Sequence, residues 1–131
     1  MKSKKKVVPN LSTGTSGLIG MVNKIILGAI SRKSYVIRIL IPRSKKPEGQ
    51  VLEIDAAGNI TQTARFNPKL RLSIVSRLKI MASASIAEHR RLQTGVINFN
   101  PETHSGKVFR VIFACFPALD DPSCEEVVMT L

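Results

Sequence analysis

Short runs of β-branched residues, separated by glycine, proline and asparagine, restrict the fold of this chain more than any other feature. The clearest run, residues 34–42 (SYVIRILIP), alternates its side chains with the two-residue period of a β-strand and ends at Pro42. Residues 51–55 and 60–66 (VLEID and ITQTARF) flank the turn-like segment AAGN. This arrangement predicts a β-hairpin.

The second half of the chain predicts another hairpin. VINFN (residues 96–100) and KVFRVIFACF (107–116) flank the turn-like segment PETHSG. The longer arm is apolar at both odd and even positions, as expected of a strand covered on both sides. We therefore expect residues 107–116 to form the central strand of the sheet. VVMTL, residues 127–131, is compatible with a last strand.

Residues 69–82 predict a further strand with two unlike faces, because apolar residues alternate with polar or basic ones. The apolar set is Leu70, Leu72, Ile74, Leu78, Ile80 and Ala82. The opposite set is Lys69, Arg71, Ser73, Arg77 and Lys79. Such a strand would have an apolar core face and a basic outer face.

Two segments have helical rather than strand-like spacing. Residues 17–31 place apolar side chains three and four apart, which predicts an amphipathic helix. Its apolar side has three possible roles: packing on the protein's own sheet, lying on a membrane surface, or packing on a neighbouring subunit. Residues 86–94 predict a short second helix, because Ser85 and Glu88 have the spacing of a capping box.

Together these elements predict an α+β fold that is mainly β. We expect six or seven mostly antiparallel strands, an N-terminal amphipathic helix and a short second helix. A length of 131 residues suits one domain. Residues 1–16 combine four lysines with small polar residues and predict a flexible, disordered basic arm. The chain therefore divides into this arm and a single β-rich domain over residues 17–131.

The charge of the chain is concentrated at one end. Residues 1–47 hold eleven of the twenty Lys and Arg residues and no Asp or Glu. The formal net charge of +11 therefore comes entirely from the first third, which predicts a polyanionic partner. Residues 120–131 are acidic, and we expect them to contact the basic first third within one chain or between copies.

Phosphate binding needs cations but no aromatic platform, and the chain has one Tyr, five Phe and no Trp. We therefore predict that basic side chains bind nucleic acid without sequence specificity, and we expect this nucleic acid to be RNA. The predicted contact residues are Lys2, Lys4, Lys5, Lys6, Arg32, Lys33, Arg43, Lys45, Lys46, Lys69, Arg71, Arg77 and Lys79.

No catalytic, metal-binding or cofactor-binding pattern emerges. The possible His and Cys ligands are His89, His104, Cys115 and Cys124. None has the paired spacing of a zinc site. Cys115 lies in an apolar run and predicts a buried thiol, and so few cysteines indicate a reducing compartment. Glu53 and Asp55 alternate with apolar residues in the way of solvent-facing strand residues. We expect neither an enzyme nor a cofactor.

No secretory signal is expected. The first apolar stretch begins late, at Leu18, and Asn23 and Lys24 interrupt it. No stretch approaches the roughly 20 apolar residues that span a bilayer.

In its organisation, the chain resembles small RNA-virus coat proteins. Lys2, Lys4, Lys5 and Lys6, the LSTGTS segment that follows and the β-rich remainder carry this resemblance. It implies that the arm neutralises packaged RNA while the β domain forms a homo-oligomeric shell, in the virion or the host cytoplasm. Residues 34–131 are few for an eight-stranded jelly roll, so we do not expect that particular fold.

Two other functions fit the same residues. A peripheral viral matrix protein would use the polybasic arm on anionic lipid and insert the helix at 17–31 into the membrane surface. A ribosomal or organellar RNA-binding protein would thread the arm between RNA helices.

Overall fold

The computed structural model of the chain describes residues 8–11, 17–40, 48–101, 106–118 and 125–131. Strands hold 41% of these residues and helices 28%, so the described part is mainly β. Parts of the predicted arm, residues 1–7 and 12–16, lie outside the described residues, as do 41–47, 102–105 and 119–124.

Seven strands form one mixed sheet. They are β1 (Asn10–Leu11), β2 (Val36–Leu40), β3 (Gly49–Ile54), β4 (Ile60–Phe66), β5 (Gln93–Phe99), β6 (Phe109–Pro117) and β7 (Glu125–Thr130). Their order across the sheet is β1-β4-β3-β2-β7-β6-β5. Only the β1–β4 pair among these strands is parallel. The predicted sheet of six or seven mostly antiparallel strands is therefore confirmed.

Both predicted hairpins are present. β3 pairs with β4, and β5 pairs with β6. At the first turn, Asp55 Oδ1 accepts hydrogen bonds of 2.9 Å from the backbone N–H groups of Ala57 and Asn59. Gly58 has φ +86°, a conformation that costs glycine little. The predicted turn is therefore present, and the side chain of Asp55 closes it.

The expectation that residues 107–116 form the central strand is wrong. β2 occupies the middle of the order, and β6 lies between β7 and β5, next to an edge. No described element covers the apolar residues on the outer side of β6, and Ile112 on that side is 55% exposed. A strand that is apolar on both faces therefore does not have to be central.

Two helices accompany the sheet. α1 spans Gly17–Ser31, and α2 spans Arg71–Met81 after a single 3-10 turn at Pro68–Leu70. The buried side of α1 consists of Met21, Val22, Ile25, Ile26 and Ala29. This side belongs to the same apolar core as the inward side chains of the sheet, and α1 also contacts α2. The apolar side of α1 is thus used inside the chain's own core.

The strand predicted over residues 69–82 is wrong, because this segment is helical. Asn67 Oδ1 accepts a hydrogen bond from the backbone N–H of Lys69, and Pro68 follows it, which together start a helical turn. Ile74 and Leu78 are four residues apart, a spacing that alternation and a helix share. A strand would place Leu72 and Ile80 on the buried face with Ile74, whereas a helix turns them away from it. They are 60% and 51% exposed, as the helix requires.

The helix predicted over residues 86–94 is also wrong. The chain is irregular after α2 until β5 begins at Gln93. The side-chain amide of Gln93 accepts from Ser85 N–H at 2.8 Å and donates to Ser85 C=O at 3.0 Å. Glu88 accepts from Arg90 N–H and therefore does not complete the expected capping box. A contact between the loop and the strand replaces the local cap.

The sheet has two different faces. The helix-covered face contributes Ile37, Ile39, Val51, Phe66, Ile97, Val111, Phe113, Val127 and Met129 to the core. The opposite side, which we call the open face, is contacted by neither α1 nor α2, whose buried residues join the core cluster on the other side. The apolar residues of the open face are Val36, Leu40, Leu52, Ile54, Ile60, Val96, Ile112, Ala114, Phe116 and Val128.

Candidate nucleic-acid interface

Seven of the predicted phosphate-contacting residues lie outside the described part of the chain. They are Lys2, Lys4, Lys5, Lys6, Arg43, Lys45 and Lys46. The remaining predicted residues occupy two places in the fold. Arg32 and Lys33 follow α1, and the others lie on the 3-10 turn and α2.

The four-lysine segment joins the folded domain at an edge of the sheet. Asn10 and Leu11, within the predicted arm, pair with Arg65 and Phe66 as the parallel strand β1. Pro9 C=O accepts a hydrogen bond of 3.0 Å from Arg65 N–H. The segment with the lysines, residues 1–7, is therefore covalently joined to an edge that backbone hydrogen bonds hold in place.

A cleft of about 420 Å³ lies beside this edge. Val8 and Pro9 form one side of it, and the C-terminal end of α1, β3 and β4 supply the rest. Its polar lining includes Arg32, Ser34 and Glu53. The start of the described chain and the first predicted cation after α1 therefore share one surface.

Arg32 is already occupied by a carboxylate. Its Nε donates to Glu53 Oε1 at 2.9 Å and its Nη2 donates to Glu53 Oε2 at 2.5 Å. Ser34 Oγ donates to the same carboxylate at 2.6 Å. This two-point pairing is the geometry in which arginine binds carboxylates most tightly. Arg32 is therefore a poorer phosphate ligand than its position in the sequence suggests.

Glu53 is not the solvent-facing strand residue that alternation suggests. It is 4% exposed and points to the helix-covered face. Burial tends to raise the pKa of Glu53, but hydrogen bonds from Arg32 and Ser34 outweigh it and hold that pKa below its ordinary value. The same pairing raises the pKa of Arg32. The two residues are a charged structural pair near the end of α1.

Lys33 is exposed and has φ +58°. Its backbone N–H donates to Ile30 C=O at 3.0 Å, which ends α1. A cation at this position is favoured by the partial negative charge at the helix C-terminus. Lys33 is therefore available to an external anion. It lies next to Arg32, at the same end of the domain as Val8 and Pro9.

The basic residues on and before α2 do not form one face, because successive residues of a helix turn by about 100°. Lys69 is exposed, whereas Arg71 and Arg77 are half-buried. Arg77 Nε is buried and has no hydrogen-bond partner among the described residues. The basic outer face predicted for a strand over residues 69–82 is therefore wrong.

Lys79 is excluded from the phosphate-contacting set. Its side chain is 0% exposed. The ammonium Nζ donates to Glu125 Oε1 at 2.9 Å and to Glu88 C=O at 2.7 Å. Because α2 is a helix, Lys79 shares the buried side with Val75 and Leu78 instead of an outer strand face. A phosphate cannot reach this group without displacing its buried partners.

Glu125 is the acceptor at the centre of a buried polar cluster. His89 Nδ1 lies 2.8 Å from Glu125 Oε1, and Cys115 Sγ donates to Glu125 Oε2 at 3.3 Å. Burial tends to raise the pKa of Glu125, but the bonds from His89, Lys79 and Cys115 outweigh it and lower that pKa. The cluster links α2, the loop after it and the paired ends of β6 and β7.

Cys115 is a buried free thiol, as the sequence predicts. Burial, together with the charge of Glu125, raises its pKa to about 12. It is therefore protonated at neutral pH and serves as a hydrogen-bond donor, not as a nucleophile. The sequence predicts the burial of Cys115 but offers His89 only as a metal ligand, and it does not indicate their common partner, Glu125.

The expected contact between the acidic end and the basic first third is present within one chain. Arg38 Nη2, on β2, donates to Glu126 Oε2 on β7 at 3.4 Å. The two strands are neighbours, so the contact crosses the middle of the open face. A second pair, Arg65 with Glu48 at 3.6 Å, lies toward the β4 side of the sheet.

No protein-family model matches the chain, and no curated protein is significantly similar to it in sequence. Within the described ranges, no three His, Cys, Asp or Glu side chains are arranged to hold a metal ion. In that same part of the chain, no helix combines the length and apolar character needed to cross a bilayer.

Proposed function

We propose that the protein is a nucleic-acid-binding structural protein whose N-terminal lysines neutralise phosphates. One observation carries the proposal: the acid-free residues 1–47 hold the entire net charge, and β1 joins their lysine-rich start to the sheet edge. Phosphate neutralisation needs only cations and counterion release. The described fold gives the lysines a fixed attachment, while Lys33 and Lys69 add exposed charge.

Pairing within the chain narrows the set of binding residues. Lys79 is buried, and Arg32 is held by Glu53 in two hydrogen bonds. The proposal therefore rests first on Lys2, Lys4, Lys5 and Lys6, and next on Arg43, Lys45 and Lys46.

Within this class we propose a coat-type protein of a small RNA virus, in which the arm binds packaged RNA and the sheet domain assembles with copies of itself. The corresponding location is the virion or the host cytoplasm. A matrix-type function that inserts the apolar side of α1 into a membrane is disfavoured, because Met21, Val22 and Ile26 are at most 1% exposed in the chain's own core.

The test compares two variants with the same loss of charge. The first replaces Lys2, Lys4, Lys5 and Lys6 by Gln. The control replaces Lys24, Arg90, Arg91 and Lys107 by Gln, four exposed cations outside the predicted set. Binding of a fluorescent single-stranded RNA is measured at several salt concentrations by anisotropy.

We expect the arm variant to bind more weakly and to lose up to about 2.8 from the log–log salt slope, about 0.7 for each phosphate contact. The control should keep most of the wild-type slope, because scattered surface cations do not act as a unit. Equal losses in the two variants would mean that only net charge matters, and an unchanged slope in the arm variant would refute the proposal.

A further inference from the structure

The open face carries a mostly apolar row that crosses six strands. Cross-strand pairing places Val96 opposite Ile112, Ile112 opposite Thr130, and Thr130 opposite Val36. The row continues through Ile54 to Ile60. Five of its six members are apolar, and Ile112 and Ile60 are 55% and 64% exposed. Antiparallel sheets with one solvated face usually alternate polar residues onto that face, so an apolar row indicates a covering partner.

The charges at the middle of this face are balanced within the chain. Arg38 lies in the next row, between Val128 and Leu52, and pairs with Glu126 one row further on. The other flanking side chains in the row of Arg38 are Ala114, Thr94 and Gln62. Exposed Arg110 also lies on this face, opposite Asn98 on the β5–β6 side. The middle of the face, away from Arg110, offers little to a polyanion and suits a surface that is itself apolar and neutral.

The size of the face lies at the lower limit for a specific interface. Six strands at about 4.8 Å and about five residues at about 3.3 Å give an area of roughly 29 by 17 Å. Two such faces in contact would cover about 1,000 Å² in total, taking each face as flat. This area reaches the lower limit for specific interfaces.

We propose that the open face is a homodimer interface, in which the open face of a second copy of this chain packs on the row from Val96 to Ile60. Sheet-on-sheet packing at about 10 Å would place the two apolar rows in one buried layer. A two-fold contact of this kind needs only that one surface complement itself, which a neutral apolar row does. The inference names the assembly surface of the proposed structural protein and does not depend on the arm lysines.

The test uses the full chain in 1 M NaCl, where nucleic acid is released but apolar association persists. Sedimentation equilibrium should give twice the 14.4 kDa of one chain. Ile112→Lys should raise the dimer dissociation constant by about 100-fold or more, because each two-fold interface would bury two unpaired ammonium groups. The matched control is Ile80→Lys on α2, where the isoleucine is 51% exposed but points away from the sheet.

Circular dichroism establishes that both variants fold, and Val96→Lys provides a second substitution in the same row. A wild-type mass of 14.4 kDa at about 100 μM in 1 M NaCl would overturn the proposal. So would dissociation by Ile80→Lys with no effect of Ile112→Lys, because the interface would then lie on the helices. Assemblies larger than a dimer support the proposal only if Ile112→Lys reduces them. A dimer whose arm variant binds RNA with the wild-type salt slope would refute the proposed function and leave this inference standing.

Discussion

Replacing Lys79 by Met should destabilise the fold by about 3 kcal/mol. The ammonium group donates to Glu125 Oε1 at 2.9 Å and to Glu88 C=O at 2.7 Å from a fully buried position. Breaking a buried ion pair typically costs about 3–5 kcal/mol, because the remaining charge stays desolvated. Met retains the bulk of the Lys stem, and half-exposed His89 still contacts Glu125, so the lower end of that range applies.

Urea unfolding at pH 7 and 25 °C, followed by circular dichroism, measures this change. At this chain length, about 3 kcal/mol corresponds to a fall in Tm of roughly 10 °C. Lys24→Met is the matched control, since Lys24 is exposed on α1, and it should change stability by less than about 0.5 kcal/mol.

A double-mutant cycle completes the experiment. Lys79→Met combined with Glu125→Leu should cost at least about 2 kcal/mol less than the sum of the two single changes. A cost for Lys79→Met no larger than that for Lys24→Met would refute the buried ion pair. It would also return Lys79 to the predicted phosphate-contacting residues.

Two further predictions follow from the pKa shifts. With Cys124 replaced by Ser, the native protein should resist a thiol reagent at pH 8, because a pKa of about 12 leaves Cys115 protonated; rapid labelling before unfolding would contradict its burial. The pKa values of Glu53 and Glu125 both lie below their ordinary value of 4.5. Their stabilisation should therefore be complete above about pH 4.5 and lost as the pH falls through the lower folded values. Urea unfolding between pH 7 and pH 3 should show this fall, with a shallower fall in Glu125→Gln; identical pH profiles would exclude a contribution from Glu125.

The strands were predictable because their signals are local. Each signal depends on residues close together in the chain. Examples are the Asp55–Asn59 turn, the alternation in residues 36–40, and the apolar runs at 96–100 and 107–116. The order of the strands was not predictable in the same way. The apolar character of both faces of β6 suggested a central strand. In the structure β6 lies next to an edge, and Ile112 on its outer side is exposed.

α2 shows where periodicity fails. Ile74 and Leu78 fit a strand and a helix equally well, and only the exposure of Leu72 and Ile80 separates the two. The start signal at Asn67 and Pro68 is a local indication that favours the helix. This one assignment changed the interpretation of the basic residues, because it moved Lys79 from an outer face to the core.

The buried charge clusters could not be found from spacing. Glu53 and Arg32 are 21 residues apart, and Lys79 and Glu125 are 46 residues apart. Each pair forms only when the sheet and the helices are in contact. A charged residue next to buried apolar positions in a helix, as Lys79 is beside Leu78, is the one sequence feature that indicates such a partner.

The most direct test of the proposed function is size-exclusion chromatography with light scattering and absorbance at 260 and 280 nm, on protein purified at low salt. We expect multimers of the 14.4 kDa chain with excess absorbance at 260 nm. Addition of 1 M NaCl should remove this excess absorbance, because it releases the nucleic acid. A monomer free of nucleic acid under these conditions would contradict the account of this chain as a nucleic-acid-binding structural protein.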